Sequence, residues 1–322
     1  MKKEETKKIL YVVVPCYNEE EVLYVTTEKL TEKMDKMIED KLIDKKSKIM
    51  YVNDGSKDKT WDIICDLNSK NKYVTGVNLS RNRGHQNALL AGLMTAKEYA
   101  DMTISMDADL QDDINVMDQM VKDYNDGADI VYGVRSARKT DTFFKRTTAE
   151  GFYKFMKLLG VDIIYNHADY RLMSKRALYE LENYKEVNLF LRGIIPLIGF
   201  KSTIVTYERN ERFAGESKYP LKKMLNFALE GILSFSVKPI RLITSIGFFI
   251  SFLSFIFLIY VLIGHFVSGN VQGWTTIVAL VSFFGGFQIF CIGVIGEYIG
   301  KIYNETKQRP RFIIEKVLLN DK

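Results

Sequence analysis

Cysteine is scarce in this chain, and that scarcity excludes a disulfide framework. The 322 residues include three cysteines, Cys16, Cys65 and Cys291, which lie far apart with no spacing typical of metal ligands. Small secreted scaffolds need more cysteines in a shorter sequence. The sequence therefore predicts a protein of a reducing compartment. Its 47% hydrophobic content is enough to bury the core of one full domain plus something smaller.

Charge is absent from two long stretches near the C-terminus. Residues 242–266 and 274–296 contain no Asp, Glu, Lys or Arg. Each stretch exceeds the roughly 20 apolar residues that a helix needs to cross a bilayer, so we predict a transmembrane hairpin. Buried helices of a soluble protein would have a similar composition. Residues 265–273 between the stretches carry no Lys or Arg, whereas basic residues flank the pair. The positive-inside rule then predicts a multi-pass protein of the cell membrane with both termini cytoplasmic.

The overall charge is also low. A net charge of +5 is too small to indicate nucleic acid as a partner, and basic residues beside the apolar stretches account for much of it. Such residues are attracted to anionic lipid headgroups. The apolar run at residues 9–14 is too short for the core of a signal peptide and ends at Pro15, so we predict a strand there.

The first part of the chain alternates strand and helix patterns. Short apolar runs at residues 9–14, 48–52, 74–79 and 102–106 are each followed by a helical pattern, and residues 130–133 form a further strand. This order predicts an α/β domain with a largely parallel sheet. Ligands of such sheets bind beyond the carboxyl ends of the strands.

The fourth run ends in three oxygen ligands, Asp107, Asp109 and Gln111. Alternate residues at a strand end crowd into a small volume, where two carboxylates repel each other unless a cation lies between them. Hard oxygen ligands suit Mg²⁺ or Mn²⁺, which complete their shells with substrate phosphates. The pattern therefore predicts a metal site for a phosphate-bearing substrate such as a nucleotide. An acidic turn after a buried strand is the simpler alternative.

Polar residues follow the other three strands as well. Residues 15–20, 53–56 and 80–88 each combine hydrogen-bonding side chains with a turn or a helix start. Taken singly, each cluster is explained by helix capping or turn chemistry. Four clusters at four successive strand ends instead predict one pocket for a nucleotide and a metal ion.

Several motifs follow one another in a fixed order. They are Pro15-x-Tyr17-Asn18-Glu19, Asn53-Asp54-Gly55-Ser56, Asn82-x-Gly84-His85-Gln86 and Asp107-Ala108-Asp109-Leu110-Gln111. This order resembles the family 2 glycosyltransferases of GT-A (Rossmann-like) fold. Two later motifs, at residues 169–173 and 212–219, resemble the branch that acts on polyisoprenyl phosphates. That branch includes dolichol-phosphate mannose synthases and bacterial undecaprenyl-phosphate glucosyl- and N-acetylglucosaminyl-transferases. The resemblance extends from about Ile9 to Pro310.

The resemblance implies a role for each matched residue. The implied contacts of the nucleotide sugar are Pro15, Tyr17, Asn18, Glu19, Asp54 and Ser56, and those of the metal and diphosphate are Asp107, Asp109 and Gln111. Asp169 would lie near the reacting centre, and Arg212, Ser217 and Lys218 on a loop that reaches the phosphates, with Arg135 also facing a phosphate. Asn53 is a departure, because many relatives have a second aspartate before Asp54.

The implied reaction is an inverting, metal-dependent sugar transfer. The donor is a nucleoside-diphosphate sugar, with UDP-glucose or UDP-N-acetylglucosamine favoured, and the acceptor is undecaprenyl phosphate on the cytoplasmic membrane face, for glycosylation of the cell envelope. Family analogy makes Asp169 the general base, but a phosphate monoester with a second pKa of about 6 is already mostly ionised. Asp169 would then orient the sugar, stabilise the transition state, or only form a salt bridge with Arg171.

Other functions stay open at this point. A GDP-mannose-dependent polyprenyl-phosphate mannosyltransferase would share these motifs. A processive synthase of cellulose or hyaluronan type would need a Gln-x-x-Arg-Trp motif, which neither Trp61 nor Trp274 completes. A membrane-anchored nucleotide-sugar sensor without activity would not need intact Asp109, Asp169 and Arg212.

The expected division of the chain has four parts. Residues 1–210 form the cytoplasmic GT-A domain, 211–238 an acceptor loop with a juxtamembrane amphipathic helix, 239–300 two transmembrane helices, and 301–322 a cytoplasmic tail. Small residues such as Gly285, Gly286 and Gly293 permit close helix packing, within the hairpin or in a homo-oligomer.

Overall fold

The apolar runs of the first half become strands of an eight-stranded sheet. The computed structural model describes residues 7–136, 167–187, 189–208, 238–268 and 273–320. Its strands are β1 (Leu10–Cys16), β2 (Lys48–Asn53), β3 (Val74–Leu79), β4 (Met102–Ser105), β5 (Ile130–Arg135), β6 (His167–Ser174), β7 (Ser202–Tyr207) and β8 (Ile314–Leu318). Their order across the sheet is β7-β5-β6-β4-β1-β2-β3-β8.

The helices follow the strands as the sequence pattern indicates. They are α1 (Leu23–Glu39), α2 (Thr60–Lys70), α3 (His85–Ala96), α4 (Met117–Asn125), α5 (Lys175–Glu182), α6 (Leu191–Leu197), α7 (Lys238–Ser268) and α8 (Trp274–Thr306), with a 3-10 turn at Ile114–Val116 before α4. The last two lie in one compact unit, and the sheet with its helices belongs to another.

The sheet is mostly parallel on one side and mixed on the other. β1, β2, β3 and β4 are parallel neighbours, so the predicted parallel α/β domain is confirmed. β6 lies between β4 and β5 and runs antiparallel to both, and β7 then pairs parallel with β5. The strand predicted at residues 130–133 therefore forms, but β6 separates it from the parallel set.

Helix α3 packs close to the sheet because of one glycine. A Cβ atom at Gly92 would lie 2.5 Å from the side chains of Val13 and Val52, which face it from β1 and β2. Leu90 and Leu93 beside it are buried. Because α3 follows β3 through a short loop, this packing fixes the N-terminus of α3 at the carboxyl edge of the parallel strands.

The end of the chain returns to the sheet. β8 pairs antiparallel with β3, and the ammonium of Lys48 donates to the carbonyl of Asn320 at 2.7 Å. The predicted division treats residues 301–322 as a tail. In the structure residues 301–306 continue α8, and residues 314–318 are an edge strand of the eight-stranded sheet.

The C-terminal unit contains a pair of long apolar helices. Within the described residues, Phe283–Thr306 is long and apolar enough to cross a membrane, with a mean hydropathy of 1.4, and Ile240–Ile250 is a shorter apolar segment. Large apolar side chains on these helices are exposed, among them Phe248 at 77% and Ile289 at 73%. The helical hairpin is thus confirmed, and two membrane crossings remain a prediction.

Candidate active site

The acidic turn after β4 is held in place by the first helix. The backbone N–H of Met106 donates to the carbonyl of Val13 on β1, which ends the ladder just before Asp107. The buried hydroxyl of Thr26 on α1 donates to the carbonyl of Ala108 at 2.8 Å. Leu110 then adopts a left-handed φ of 54°, and the N–H of Gln111 bonds to a carboxylate oxygen of Asp109 at 3.2 Å. These contacts fix the backbone that carries the predicted metal ligands.

The antiparallel strand β6 brings Asp169 to the same place. Ser105 at the end of β4 pairs with Arg171 on β6, so Asp107, two residues beyond the end of β4, comes close to Asp169, two residues before Arg171 on β6. The hydroxyl of Ser105 donates to the carbonyl of Asp169 at 2.5 Å. His85 at the start of α3 completes the group, with its Nε2 3.5 Å from Oδ2 of Asp169 and 3.7 Å from Oδ1 of Asp107.

Asp169 is surrounded by cations. A guanidinium nitrogen of Arg171 lies 2.5 Å from its Oδ1, and Arg192 binds both carboxylate oxygens at 3.2 and 3.1 Å. Burial by itself raises the pKa of this carboxyl, but Arg192, His85 and Arg171 together hold the pKa well below its usual range. Asp169 is therefore a fixed anion and a weak base. The salt bridge to Arg171 considered from the sequence is present, and the base role stays a prediction that this environment opposes.

Asp107 experiences the opposite environment. Burial raises the pKa of its carboxyl, and so do the nearby carboxylates of Asp112, Asp169 and Asp109, whereas His85 lowers it. Burial lowers the pKa of His85, but the hydrogen bond to Asp169 and the charge of Asp107 outweigh it and raise that pKa above the ordinary value. The crowding of carboxylates around Asp107 favours the arrival of a cation.

The donor set suits a hard divalent ion that is shared with substrate. Among the residues that the structure describes, no group of three or more His, Cys, Asp or Glu side chains is arranged to hold a metal by itself. Mg²⁺ commonly takes one or two carboxylates and draws its other oxygens from phosphates and water. Asp107 and Asp109 fit that mode. Gln111 is buried, and its role as a ligand stays a prediction.

Arg135 lies beside this acidic turn in a buried network. Its guanidinium is 3.2 Å from Oδ1 of Asp112, and the hydroxyl of Tyr207 donates to the same oxygen at 2.5 Å. Burial alone would lower the pKa of Arg135, but the nearby carboxylate of Asp112 and the hydroxyl of Tyr207 outweigh this effect and raise the pKa above its ordinary value. The guanidinium is therefore a permanent cation. The Asp112 side chain is only 1% exposed, and Tyr170 stacks edge-on against Tyr207 with centroids 5.4 Å apart. This network keeps Arg135 beside the acidic turn, and its contact with a phosphate stays a prediction.

The loops after β1 and β2 are joined by a small clasp of hydrogen bonds, which we call the Asn18–Ser56 clasp. The N–H of Asn18 donates to the hydroxyl of Ser56 at 3.0 Å, and the Asn18 side-chain oxygen accepts from the N–H of Lys57 at 2.9 Å. Asn18 has a left-handed φ of 54°, which asparagine tolerates better than most residues. The N–H of Glu19 donates to the hydroxyl of Thr60 at 2.9 Å. The predicted nucleotide residues of the first two motifs therefore lie together.

Asp54 supports the third loop. Its two carboxylate oxygens accept the N–H groups of Arg83 and Gly84 at 2.7 and 2.9 Å. Burial raises the pKa of this carboxyl, while both backbone bonds lower it. Gly55 has a φ of 62°, and a Cβ there would meet the backbone of Asn82 at 2.4 Å. The structure shows Asp54 closing the loop that leads to His85, and its contact with a nucleotide stays a prediction.

The remaining predicted residues differ in their placement. Pro15 is buried and pairs with Val52, so β1 continues through it to Cys16, and the strand does not end at the proline as the sequence pattern suggests. Tyr17 is 40% exposed at the mouth of the same loop. Arg212, Ser217 and Lys218 lie outside the described residues.

Sequence reasoning missed Arg192, which the structure places at the centre of the site. Arg192 lies on the short helix α6, and the N–H of the preceding Leu191 donates to the side chain of Gln86 on α3 at 2.8 Å. No periodic pattern or motif marks this arginine in the sequence. Gln86 of the third motif is connected to Arg192 through its bond to Leu191, but that contact exists only in the folded protein.

The comparisons with known proteins agree with this geometry. A model of glycosyl transferase family 2 matches residues 11–182, and a model of the GtrB C-terminal hairpin matches residues 238–302. The uncharacterized glycosyltransferase YkoT of Bacillus subtilis (strain 168) is 55% identical over 317 residues, which cover 98% of this chain and 94% of that protein. The chain belongs to glycosyl transferase family 2. It is a glycosyltransferase, and its C-terminal hairpin indicates association with a membrane.

Two further similarities complete the comparison. The SfII prophage-derived bactoprenol glucosyl transferase of Shigella flexneri is 41% identical to this glycosyltransferase over 310 residues, covering 95% of this chain and 97% of that protein. The glucosyl-3-phosphoglycerate synthase of Mycobacterium tuberculosis, solved with Mn²⁺, UDP-glucose and phosphoglyceric acid, gives a TM-score of 0.45 at 17% identity, covering 70% of this chain and 78% of that one. A structural likeness of that degree supports no conclusion about ligands here.

Arg192 should control the charge of Asp169. In the Arg192→Gln variant the carboxyl loses the strongest of the influences that lower its pKa, so this pKa should rise. A carboxyl with a depressed folded pKa stabilises the protein above its unfolded pKa, and that contribution is lost as pH falls through the folded pKa. The variant should therefore lose about 1–3 kcal/mol of unfolding free energy at neutral pH, since Arg192 is partly exposed. When the pH is lowered, the unfolding free energy of the variant should also fall less than that of the wild type. Urea unfolding between about pH 3 and pH 7 measures both effects.

The matched control is Arg192→Lys, which keeps the positive charge but loses the bidentate contact with Asp169. Its unfolding free energy should depend on pH more as the wild type does than as the Arg192→Gln variant does. The same pH dependence in the wild type and both variants would show that Arg192 does not set the charge of Asp169.

Proposed function

We propose that this glycosyltransferase moves a hexose from a nucleoside-diphosphate sugar, with UDP-glucose or UDP-N-acetylglucosamine favoured, to a polyisoprenyl phosphate. The observation that carries the proposal is the convergence of Asp107 and Asp169 on His85, where β4 ends beside β6 at the carboxyl edge of the sheet. The name of the Shigella relative, a bactoprenol glucosyl transferase, supports a polyprenyl acceptor and a glucosyl donor.

The donor would bind across the ends of β1, β2 and β4. Asn18, Ser56 and the exposed ring of Tyr17, which lie together after β1 and β2, would hold the base and ribose. A bound Mg²⁺ or Mn²⁺ at Asp107 and Asp109 would supply positive charge for the diphosphate as it leaves. Arg135, fixed by Asp112, adds a permanent cation on the same side of the turn. The acidic residues would otherwise repel the diphosphate.

The acceptor needs no strong base. A phosphate oxygen of the lipid attacks the anomeric carbon from the face opposite the diphosphate, the bond from that carbon to the diphosphate breaks, and the nucleoside diphosphate departs with the bonding electrons. The attacking phosphate is already ionised at neutral pH, because its second pKa is about 6. Asp169, a fixed anion beside Arg192 and His85, would orient the sugar and stabilise positive charge that develops at the anomeric carbon.

The membrane placement follows from the path of the chain. Residues 189–208, which precede α7 in the chain, and residues 309–320, which follow α8, both belong to the unit that contains the sheet. Two crossings by α7 and α8 would leave both ends of the hairpin on the side of the catalytic domain. Basic residues flank the hairpin, and the residues between its helices carry no Lys or Arg. We therefore propose that the catalytic domain and both termini are cytoplasmic, where nucleotide sugars are available.

A turnover assay tests the function directly. The purified full-length protein should transfer labelled sugar from a UDP-hexose to undecaprenyl phosphate in the presence of Mg²⁺ or Mn²⁺, with the lipid product identified by mass spectrometry. Asp109→Ala should lower turnover by at least about 100-fold, because the leaving diphosphate would lose its neutralising ion. Asp107→Ala should cost less if Asp109 is the direct ligand.

Lys122→Ala, on an exposed face of α4 away from the site, is the matched control and should retain wild-type turnover. Full activity after complete chelation, or in the Asp109→Ala protein, would refute the metal role. Transfer from GDP-mannose with none from UDP-sugars would refute the proposed donor.

The membrane topology has a separate test. In a background without the three native cysteines, Ser268→Cys at the end of α7 should react with a membrane-impermeant maleimide added outside intact cells. Lys307→Cys at the end of α8 should react only after permeabilisation, because it would lie on the cytoplasmic side. Labelling of Ser268→Cys from the cytoplasmic side alone would contradict the orientation.

A further inference from the structure

Four residues form a line of hydrogen bonds from the C-terminal strand to the Asn18–Ser56 clasp. The carboxylate of Glu315 on β8 accepts from the side-chain amide of Asn78 on β3 at 2.8 Å. The side-chain oxygen of Asn78 accepts from the amide of Asn53 on β2 at 2.7 Å. The side-chain oxygen of Asn53 accepts from the backbone N–H of Ser56 at 3.2 Å. We call this line the amide relay.

The two ends of the amide relay require the same direction. An ionised carboxylate only accepts hydrogen bonds, so Asn78 must turn its NH₂ group to Glu315 and its oxygen to Asn53. The backbone N–H of Ser56 only donates, so Asn53 turns its oxygen to Ser56 and its NH₂ group to Asn78. Neither amide would be fixed in this way by a neighbour that both donates and accepts.

A bulge in the edge strand aims Glu315 at this line. In the ladder between β3 and β8, Asn78 pairs with Lys316 and Leu79 pairs with Ile314, so Glu315 is an extra residue without a strand partner. Bulges of this kind redirect a side chain. Next to the bulge, the N–H of Ser80 donates to the carbonyl of Ile313 at 3.0 Å, which ties the start of the Arg83–Gly84 loop to the same segment.

The far end of the relay supports the predicted donor site. Ser56 receives the N–H of Asn18 on its hydroxyl, and Asn18 receives the N–H of Lys57 on its side-chain oxygen. Asn53 is buried with 3% of its surface exposed, so a bond lost there is not easily replaced by water. If Asn53 turned its NH₂ group to Ser56, two donors would face each other and the backbone of Ser56 would be displaced.

We propose that Glu315 is a positioning residue for the donor nucleotide, acting through the amide relay on the Asn18–Ser56 clasp. The proposal rests on the proposed function only in taking the clasp as part of the donor site. It gives the strand after the membrane hairpin a role in substrate binding. It also explains why residue 53 is an asparagine: an aspartate there would direct a carboxylate at the side-chain oxygen of Asn78.

Reversal of the relay tests the proposal. Asn53→Asp should weaken binding of UDP by about three- to tenfold, because two acceptors would face each other and one buried bond would be lost. Adding Glu315→Gln should restore most of that affinity. The new glutamine amide at position 315 can donate to the oxygen of a reversed Asn78, whose NH₂ group then donates to the new carboxylate at position 53. Isothermal titration with UDP on the detergent-solubilised full chain measures both effects.

The control separates hydrogen bonding from simple charge repulsion. Asn53→Asp combined with Glu315→Ala also removes the charge at position 315, so Asn78 can reverse towards the new carboxylate, but no donor at position 315 then holds it there. This variant should recover UDP affinity only in part, and a larger rescue by glutamine than by alanine supports the relay. Equal rescue by both, or rescue by neither, would overturn it, and urea unfolding of each variant shows whether the protein is folded.

A second measurement separates positioning from mere structural support. The variants should change KM for the donor and leave kcat within about twofold, since none of the four residues touches the reacting atoms. Variants that alter the urea midpoint while UDP affinity and donor KM stay constant would make the relay purely structural and overturn the proposal. A wild-type protein that binds no UDP would count against the proposed donor as well, whereas failed rescue in a protein that binds UDP would overturn the relay alone.

Discussion

The buried charge of Asp169 is the constraint on which the site depends. A carboxylate with 14% of its side chain exposed needs cationic partners, because water cannot solvate it well. Arg171 supplies one partner from the same strand, Arg192 supplies another from α6, and His85 a third from α3. Two helices therefore converge on one carboxylate of β6. The position of α6, and with it the wall of the site, follows from satisfying that charge.

This charge balance divides the work between two neighbouring carboxylates. Asp169 has its negative charge stabilised by arginines and is a poor proton acceptor, whereas Asp107 is crowded by carboxylates and favours a cation. One acidic group is thus kept as a fixed anion, and the other would share an ion with the proposed substrate. Such a division would suit transfer to an acceptor that arrives already ionised, because the enzyme would then supply electrostatic orientation in place of a base.

The C-terminal strand β8 follows the helical hairpin in the chain and completes the sheet of the catalytic domain. After the apolar hairpin, β8 joins β3 and places Glu315 at a bulge, where its carboxylate accepts from Asn78. A segment that the sequence pattern leaves as a tail is therefore part of the catalytic sheet. A short length of chain thus connects α8 to a strand that pairs with β3.

Features that arise from local patterns could be predicted from the sequence alone. Alternating apolar runs and helical periodicity were enough to predict β1 to β4 with their helices, the polar clusters at their carboxyl ends, and the apolar hairpin, since each signal spans a few turns or one strand. The tertiary structure decided which distant segments meet. The antiparallel insertion of β6, the approach of Arg192 to Asp169, and the pairing of β8 with β3 each join residues far apart in the chain. No local sequence pattern predicts such pairings, because they depend on burial, charge compensation and unpaired strand edges that exist only in the folded sheet.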